Sequence, residues 1–371
     1  MDPDRLRSEA EEWVEEGLIS QEQAEAIVAR YDEAGRSRLT LAIALVGAAL
    51  VGVGLVIFLA ANWENLGRGT RTAILVATPL ASYAAGWWLV VDRGRDRVGR
   101  ALVVLGAVFV GVSLFSLAEI HAPWLDDEWL LLAWAAVALP SGHALGSRLT
   151  ALFGLGVVGA LVAVLAEPAD PVLPVGALGV TLYGVGIARR NRPLAGAYRI
   201  GGTALAVGAL LAIASREGRY GFFAVEPNAV LAATVLGALA AVAAGARAIR
   251  RDRSRWLDAA WPGVALAALL VAGLLAHASP EYVPELLAFA AVHAFTLCLV
   301  LATVAAGYRA RAPALVNLAV LALFVQLLFV SAATIPDAGP LALVVVGLAL
   351  LGIALGLERG RRLLLDGMAE T

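Results

Sequence analysis

Twelve apolar stretches, each long enough to cross a lipid bilayer, occupy the chain from Leu39 to Leu357. A hydrocarbon core about 30 Å thick needs roughly 20 apolar residues per helix, so twelve such segments consume most of a chain of 371 residues. The expected fold is all-α: a polytopic integral membrane bundle of about twelve transmembrane helices. The spans read from the sequence are 39–61, 72–91, 101–120, 129–147, 149–166, 172–188, 198–214, 229–246, 257–276, 285–307, 312–331 and 340–357. Apolar residues make up 60% of the chain and charged ones 16%, which a soluble domain does not match. Pro168, Pro171, Pro227, Pro280, Pro284 and Pro336 fall in connections, whereas Pro79, Pro140 and Pro262 fall inside spans. Membrane helices tolerate such interruptions when neighbours satisfy the freed carbonyls.

The connections alternate between arginine-rich and arginine-poor. All 28 basic side chains are arginines, and 24 of them fall on the side that carries the N-terminus. The other side receives only Arg68, Arg71, Arg216 and Arg219, together with twelve carboxylates. The positive-inside rule therefore predicts a cell-membrane protein with both termini cytoplasmic. Tryptophans are expected at the interfaces: Trp63, Trp124 and Trp129 outside, Trp87, Trp88, Trp256 and Trp261 inside. The net charge of −2 gives no reason to expect nucleic acid as a partner. The first apolar run starts only at Leu39 and is too long for a signal-peptide core, so it is read as a span. The lone Cys298 lies in an apolar run and reads as a packing residue.

Before the first span, residues 1–38 read as an acidic cytoplasmic αα-hairpin. Leu6, Ala10, Trp13 and Val14 share one helical face, and Ala24, Ile27, Val28 and Tyr31 another. Gly17 ends the first helix. Ser20 is placed to cap the second, with Gln23 three residues on to complete a capping box. Eleven carboxylates against five arginines keep this segment off an anionic headgroup surface. It is either a solvated cap or a docking module for a basic protein partner, contacted through residues 1–36.

Trp13, the stretch from Gly17 through Ala24, and the Leu59-Ala60-Ala61-Asn62-Trp63 end of the first span together resemble domain of unknown function 2157. The resemblance covers about the first 150 residues, including Gly111 to His121 and Trp129 to Ser147. It implies a polytopic membrane protein with a short cytoplasmic hairpin, and no established function. At Ala118-Glu119-Ile120-His121 the chain departs from the Gln-x-Tyr-like pattern that the family leads one to expect. The chain then divides into the hairpin (1–38), the family-like first four spans (39–147), eight further spans (148–357) and a tail (358–371).

Few polar positions invite a functional role. Asn62, Trp63 and Glu64 are placed to close and anchor the outer end of the first span, or to face a substrate. Glu119 and His121, with Asp126, Asp127 and Glu128, form either a solvated acidic loop or a divalent-cation site. His143 lies near the cytoplasmic interface, where it snorkels or caps. His293 lies about 12 Å into its span and Gln326 at matching depth in the next, so the two are expected to bond side chain to side chain. Ionisable groups are otherwise expected to be nearly absent within the spans. Gly352, Gly356 and Gly360 form a small-residue face for intramolecular packing or a homo-oligomer seam. The echoes Ser37-Arg38-Leu39-Thr40, Ser147-Arg148-Leu149-Thr150 and Ser254-Arg255 hint at three four-helix units.

No metalloprotease, serine-hydrolase or paired membrane-aspartate signature is present in the sequence. No cofactor, metal site or enzyme activity is therefore expected. The leading reading is a non-enzymatic membrane scaffold or regulatory protein with a docking hairpin; the alternative is a carrier or permeation path for a neutral or lipophilic solute.

Overall fold

The computed structural model describes residues 12–14, 16–17, 19–24, 61–167, 170–189, 192, 194–215, 228–253, 256–277, 284–334, 356, 359–360 and 362. The chain divides into two compact units, 1–73 and 74–371. Most of the hairpin, including Leu6, Ala10, Ile27, Val28 and Tyr31, lies outside the described residues. So do Gly352 and nearly all of the spans expected at 39–61 and 340–357.

In the first unit, local chemistry sets two turns. The Ser20 main-chain N–H donates to Gln23 Oε1 at 2.9 Å, and the Gln23 N–H donates to Ser20 Oγ at 3.2 Å. This reciprocal pair satisfies two amides that a helix start leaves open. Gly17 precedes it with φ +70°, the left-handed conformation that ends helices, and Ala24 is buried. Farther on, Trp63–Asn65 forms a single 3-10 turn.

Ten long α-helices follow among the described residues, with no strand: α1 (Arg68–Val91), α2 (Asp96–His121), α3 (Asp127–Ala144), α4 (Arg148–Leu165), α5 (Val172–Ala188), α6 (Ala195–Ala214), α7 (Ala229–Arg251), α8 (Trp256–His277), α9 (Glu285–Arg309) and α10 (Pro313–Thr334). Each coincides with an expected span. Several run about a turn farther at the arginine-rich end, because a helix can continue through charged residues after its apolar stretch has stopped. Eight of the ten are long and apolar enough to cross a bilayer; α3 and α5 are the exceptions. α5 is apolar but has only 17 residues, and α3 opens on Asp127 and Glu128.

The two exceptions are built differently. α5 is buried on nearly every face, from Val172 and Pro174 through Tyr183 to Ile187, as a helix surrounded by other helices must be. It lies against α6, α7 and α8, and these four share one core with α9 and α10. α3 packs on α4, with Trp134 as its anchor. The Trp134 indole lies directly over Gly111 of α2, where a Cβ would collide with the ring. Its Nε1 donates to the Ala107 carbonyl at 2.7 Å. Phe115 and Phe153 close around the same ring.

Interrupted backbone is repaired by neighbours. Pro79 has no N–H to give to the Leu75 carbonyl. That carbonyl instead accepts from Ser113 Oγ of α2 at 2.6 Å. At the α9–α10 turn Arg311 takes φ +49°, a conformation that favours glycine. The Ala312 N–H returns to the Gly307 carbonyl across it, closing the helix end.

The most extensive helix contact is that of α5 with α6. A Cβ at Gly202 would sit 2.5 Å from both the Gly179 carbonyl oxygen and the Tyr183 amide nitrogen, and neither can give way. Gly208, on the same helix, has nothing within 4 Å. Gly202→Ala is expected to cost about 1–3 kcal/mol by overpacking, whereas Gly208→Ala should be neutral or stabilise by up to about 1 kcal/mol. Thermal unfolding in one detergent compares them. Equal midpoints would remove the α5–α6 contact from the account of stability.

Candidate functional site

The close approach of α5 and α6 sets up a polar cluster inside the second unit. Gly186, three residues after Tyr183, leaves room for the arginine stem: a Cβ there would stand 2.5 Å from Arg199 Cγ. Arg199 of α6 and Asp258 of α8 form an ion pair, each side chain only 12% exposed. Tyr183 of α5, fully buried, donates its hydroxyl to Asp258 Oδ1 at 2.8 Å. Arg199 Nη2 also lies 3.3 Å from that hydroxyl oxygen. The guanidinium carbon stands 5.3 Å from the centre of the Tyr183 ring. One carboxylate oxygen thus gathers a phenol and a guanidinium from two other helices.

The cluster extends to a fourth helix. The rings of Tyr183 and Trp261 stack with centroids 4.0 Å apart and planes 23° from parallel. Trp261 Nε1 donates to Thr303 Oγ1 of α9 at 2.8 Å, and Thr303 in turn donates to the Leu299 carbonyl at 2.8 Å. Trp261 is only 1% exposed, so it is an interior anchor and not the interface residue that the sequence suggested. Trp87, Trp88, Trp124, Trp129 and Trp256 are all exposed near helix ends, as amphipathic rings at an interface are. Arg199 Nε and Thr203 Oγ1, one turn apart on α6, are buried without a hydrogen-bond partner among the described residues.

The charges at this site are spent on each other. Arg199 and Asp258 are oppositely charged and meet at the arginine-rich end of the bundle, within two turns of their helix starts. A buried pair returns little net stability, because both ions must be desolvated, yet removing one partner strands the other. The geometry therefore suits a clamp that fixes the register of α5, α6, α8 and α9. Two lesser contacts lie toward the same end: Tyr83 with Ser141 at 3.2 Å, and Tyr198 with His143 Nε2 at 3.1 Å. The ion pair corrects the expectation that ionisable groups are nearly absent within the spans.

Residues 11–152 match the family model described as "Predicted membrane protein (DUF2157)". The protein is a multi-pass membrane protein, and its N-terminal part is similar to that family. No curated protein and no solved structure matches the chain. The Arg199–Asp258 cluster lies beyond the family-like region; Trp13, Ser20 and Gln23 and the positions from Asn62 to His121 lie within it.

Asn62, Trp63 and Glu64 form the 3-10 turn and its approach, and Arg71 organises them. Arg71 Nη2 donates to the Glu64 carbonyl at 2.7 Å and Nε to the Leu66 carbonyl at 2.9 Å, and its guanidinium stands 5.6 Å from the centre of the Trp63 ring. Reading Arg71 only as a loop charge overlooked this. Glu119 and His121 are exposed at the end of α2. Among the described residues no group of three or more His, Cys, Asp or Glu could hold a metal ion. Cys298 faces outward and not into the packing. Among the described residues nothing lies within 4 Å of a Cβ placed at Gly356 or Gly360.

His293 and Gln326 do meet, through a different atom than expected. Gln326 Nε2 donates at 2.7 Å to the main-chain carbonyl of His293, and the imidazole nitrogens have no partner among the described residues. Side chains on a helix lean toward its N-terminus. The imidazole accordingly turns back onto Phe289, with ring centroids 4.3 Å apart, and leaves the carbonyl to the amide.

Breaking the ion pair tests the clamp. Arg199→Met or Asp258→Leu alone should cost roughly 3–5 kcal/mol, because one buried charge is left unpaired. The double variant should recover much of that loss. Thermal unfolding of the single and double variants measures the coupling, and strictly additive losses would show that the two side chains do not act together.

Proposed function

We propose that the protein is a non-enzymatic membrane scaffold or regulator of twelve spans, lying in the cell membrane with both termini cytoplasmic. Its acidic N-terminal segment, residues 1–36, docks a basic cytoplasmic partner. The observation that carries the reading is the state of the charges within the spans: Arg199 and Asp258 neutralise each other and are tied to Tyr183. A carrier of charged solutes needs intramembrane groups free to exchange partners. A closed clamp serves instead to hold helices rigid under a docked partner. The capping box at Ser20 and Gln23 supports the second element of the proposal, since it fixes a turn within the acidic segment.

A carrier or permeation path for a neutral or lipophilic solute is the second reading. It draws on an apolar cavity among α5, α7 and α8. Affinity purification of the full chain from its native membranes, beside the same chain lacking residues 1–36, separates the two. A stoichiometric partner lost with the segment is the expected result. Solute uptake by purified protein in liposomes, with no such partner, would replace the scaffold reading with the carrier.

The orientation follows from the arginine bias and has its own test. In a Cys298→Ala background, Asp127→Cys should react with an impermeant thiol reagent on intact cells, and Gly94→Cys only after the membrane is opened. The reverse pattern would invert the topology.

A further inference from the structure

The cavity among α5, α7 and α8 has a volume of about 350 Å³. Leu173 and Ala177 of α5, Leu231 and Val235 of α7, and Leu266 and Leu270 of α8 form most of its wall, and every lining residue is aliphatic or glycine. Toward the arginine-rich end, Gly184 of α5 lies against Ala241 of α7, and Gly245 of α7 against Ala259 of α8, so closely that a Cβ would collide in either place. Toward the other end the small residues Ala177 and Gly273 stand among leucines and Val235, whose side chains leave the volume between the three helices unfilled.

The cavity's edge and depth identify its surroundings. Leu270 and Leu274 at the edge are 45% and 71% exposed, so it opens sideways through the outward face of the bundle. In a membrane that face meets hydrocarbon. Leu266, its deepest wall residue on α8, is eleven residues from the helix end at His277. At 1.5 Å per residue that is about 16 Å, close to half of a hydrocarbon core about 30 Å thick. The cavity thus reaches through the depth of one leaflet.

Chemistry then selects the occupant. A polar solute would find no hydrogen-bond partner inside, and losing those bonds costs about 2–7 kcal/mol per group. An apolar cavity excludes water as well. We propose that the cavity is a lateral binding site for an acyl chain of a bilayer phospholipid, drawn from the leaflet at the arginine-poor side. The site needs only the three helices and a bilayer, and it stands or falls independently of the scaffold reading.

The test uses the full-length protein in vesicles of phosphatidylethanolamine and phosphatidylglycerol, doped with a phosphatidylglycerol that carries a diazirine on its acyl chain. After irradiation, adducts are located by peptide mass spectrometry. Ala177 and Leu266, 3% and 6% exposed, are out of reach of lipids that merely surround the protein. Adducts at these positions, at levels comparable with the outward-facing Leu236 and Leu239, are expected. Ala177→Phe fills the cavity and should lower them about tenfold, equal to about 1.4 kcal/mol, while Leu236 and Leu239 label as before. Val235→Phe is a second filling variant should the first not fold, and the wild-type pattern decides alone if neither does. Adducts confined to outward-facing residues, or cavity adducts undiminished in a folded filling variant, would overturn the proposal.

Discussion

Inside a bilayer an apolar side chain gains little by leaving lipid for protein, so helices must be held together by close packing and by polar bonds. This protein meets that constraint chiefly with glycine. Gly86 and Gly99 bring α1 and α2 into backbone contact, Gly142 and Gly154 do so for α3 and α4, and Gly179 and Gly202 for α5 and α6. The polar cluster depends on the last of these. Tyr183 lies one turn beyond Gly179, and only with the two backbones in contact do its hydroxyl and Arg199 reach the same carboxylate oxygen.

The same helices are treated in opposite ways at their two ends. Toward the arginine-rich end, α5, α6, α8 and α9 are joined by charge, phenol, indole and hydroxyl, each tied to another side chain or to the backbone. Toward the other end, aliphatic side chains and a glycine of α5, α7 and α8 enclose open volume. Hydrogen bonds and ion pairs demand defined geometry, whereas aliphatic contacts tolerate sliding and refilling. The bundle is therefore rigid where its charges are and adaptable where its cavity is.

Much of this was legible in the sequence, but not all. The ten helices coincide with ten of the apolar stretches, because length and apolarity are properties of a segment by itself. The Ser20–Gln23 pair could be read for the same reason: a capping box needs only two side chains three residues apart. Arg199 and Asp258 were not legible as partners. Each stands near the charged end of its own span, where it reads as a loop residue, and the separation of 59 positions hides the contact. The signal in the sequence that points to them is shared depth: both lie just inside the arginine-rich ends of apolar runs, facing a tyrosine at a similar level. Depth did bring His293 and Gln326 together, yet depth alone could not say that the amide would choose a carbonyl over the imidazole.

Placing the ion pair near a helix end also makes it less costly than the same pair at mid-membrane, since charged side chains close to the interface retain access to water and headgroups. It alters how the arginine bias should be weighed. An arginine neutralised by an aspartate one helix pair away no longer acts as a free positive charge at the membrane surface. Arg199 therefore contributes to the clamp and little to orientation. The expected bias does not rest on Arg199: of the 24 arginines expected on one side, the rest still far outnumber the four expected opposite them. Internal locking thus falls to the one arginine that enters the bundle and acts on its neighbours, while the charge expected to set orientation sits a turn or two of helix away in the connections.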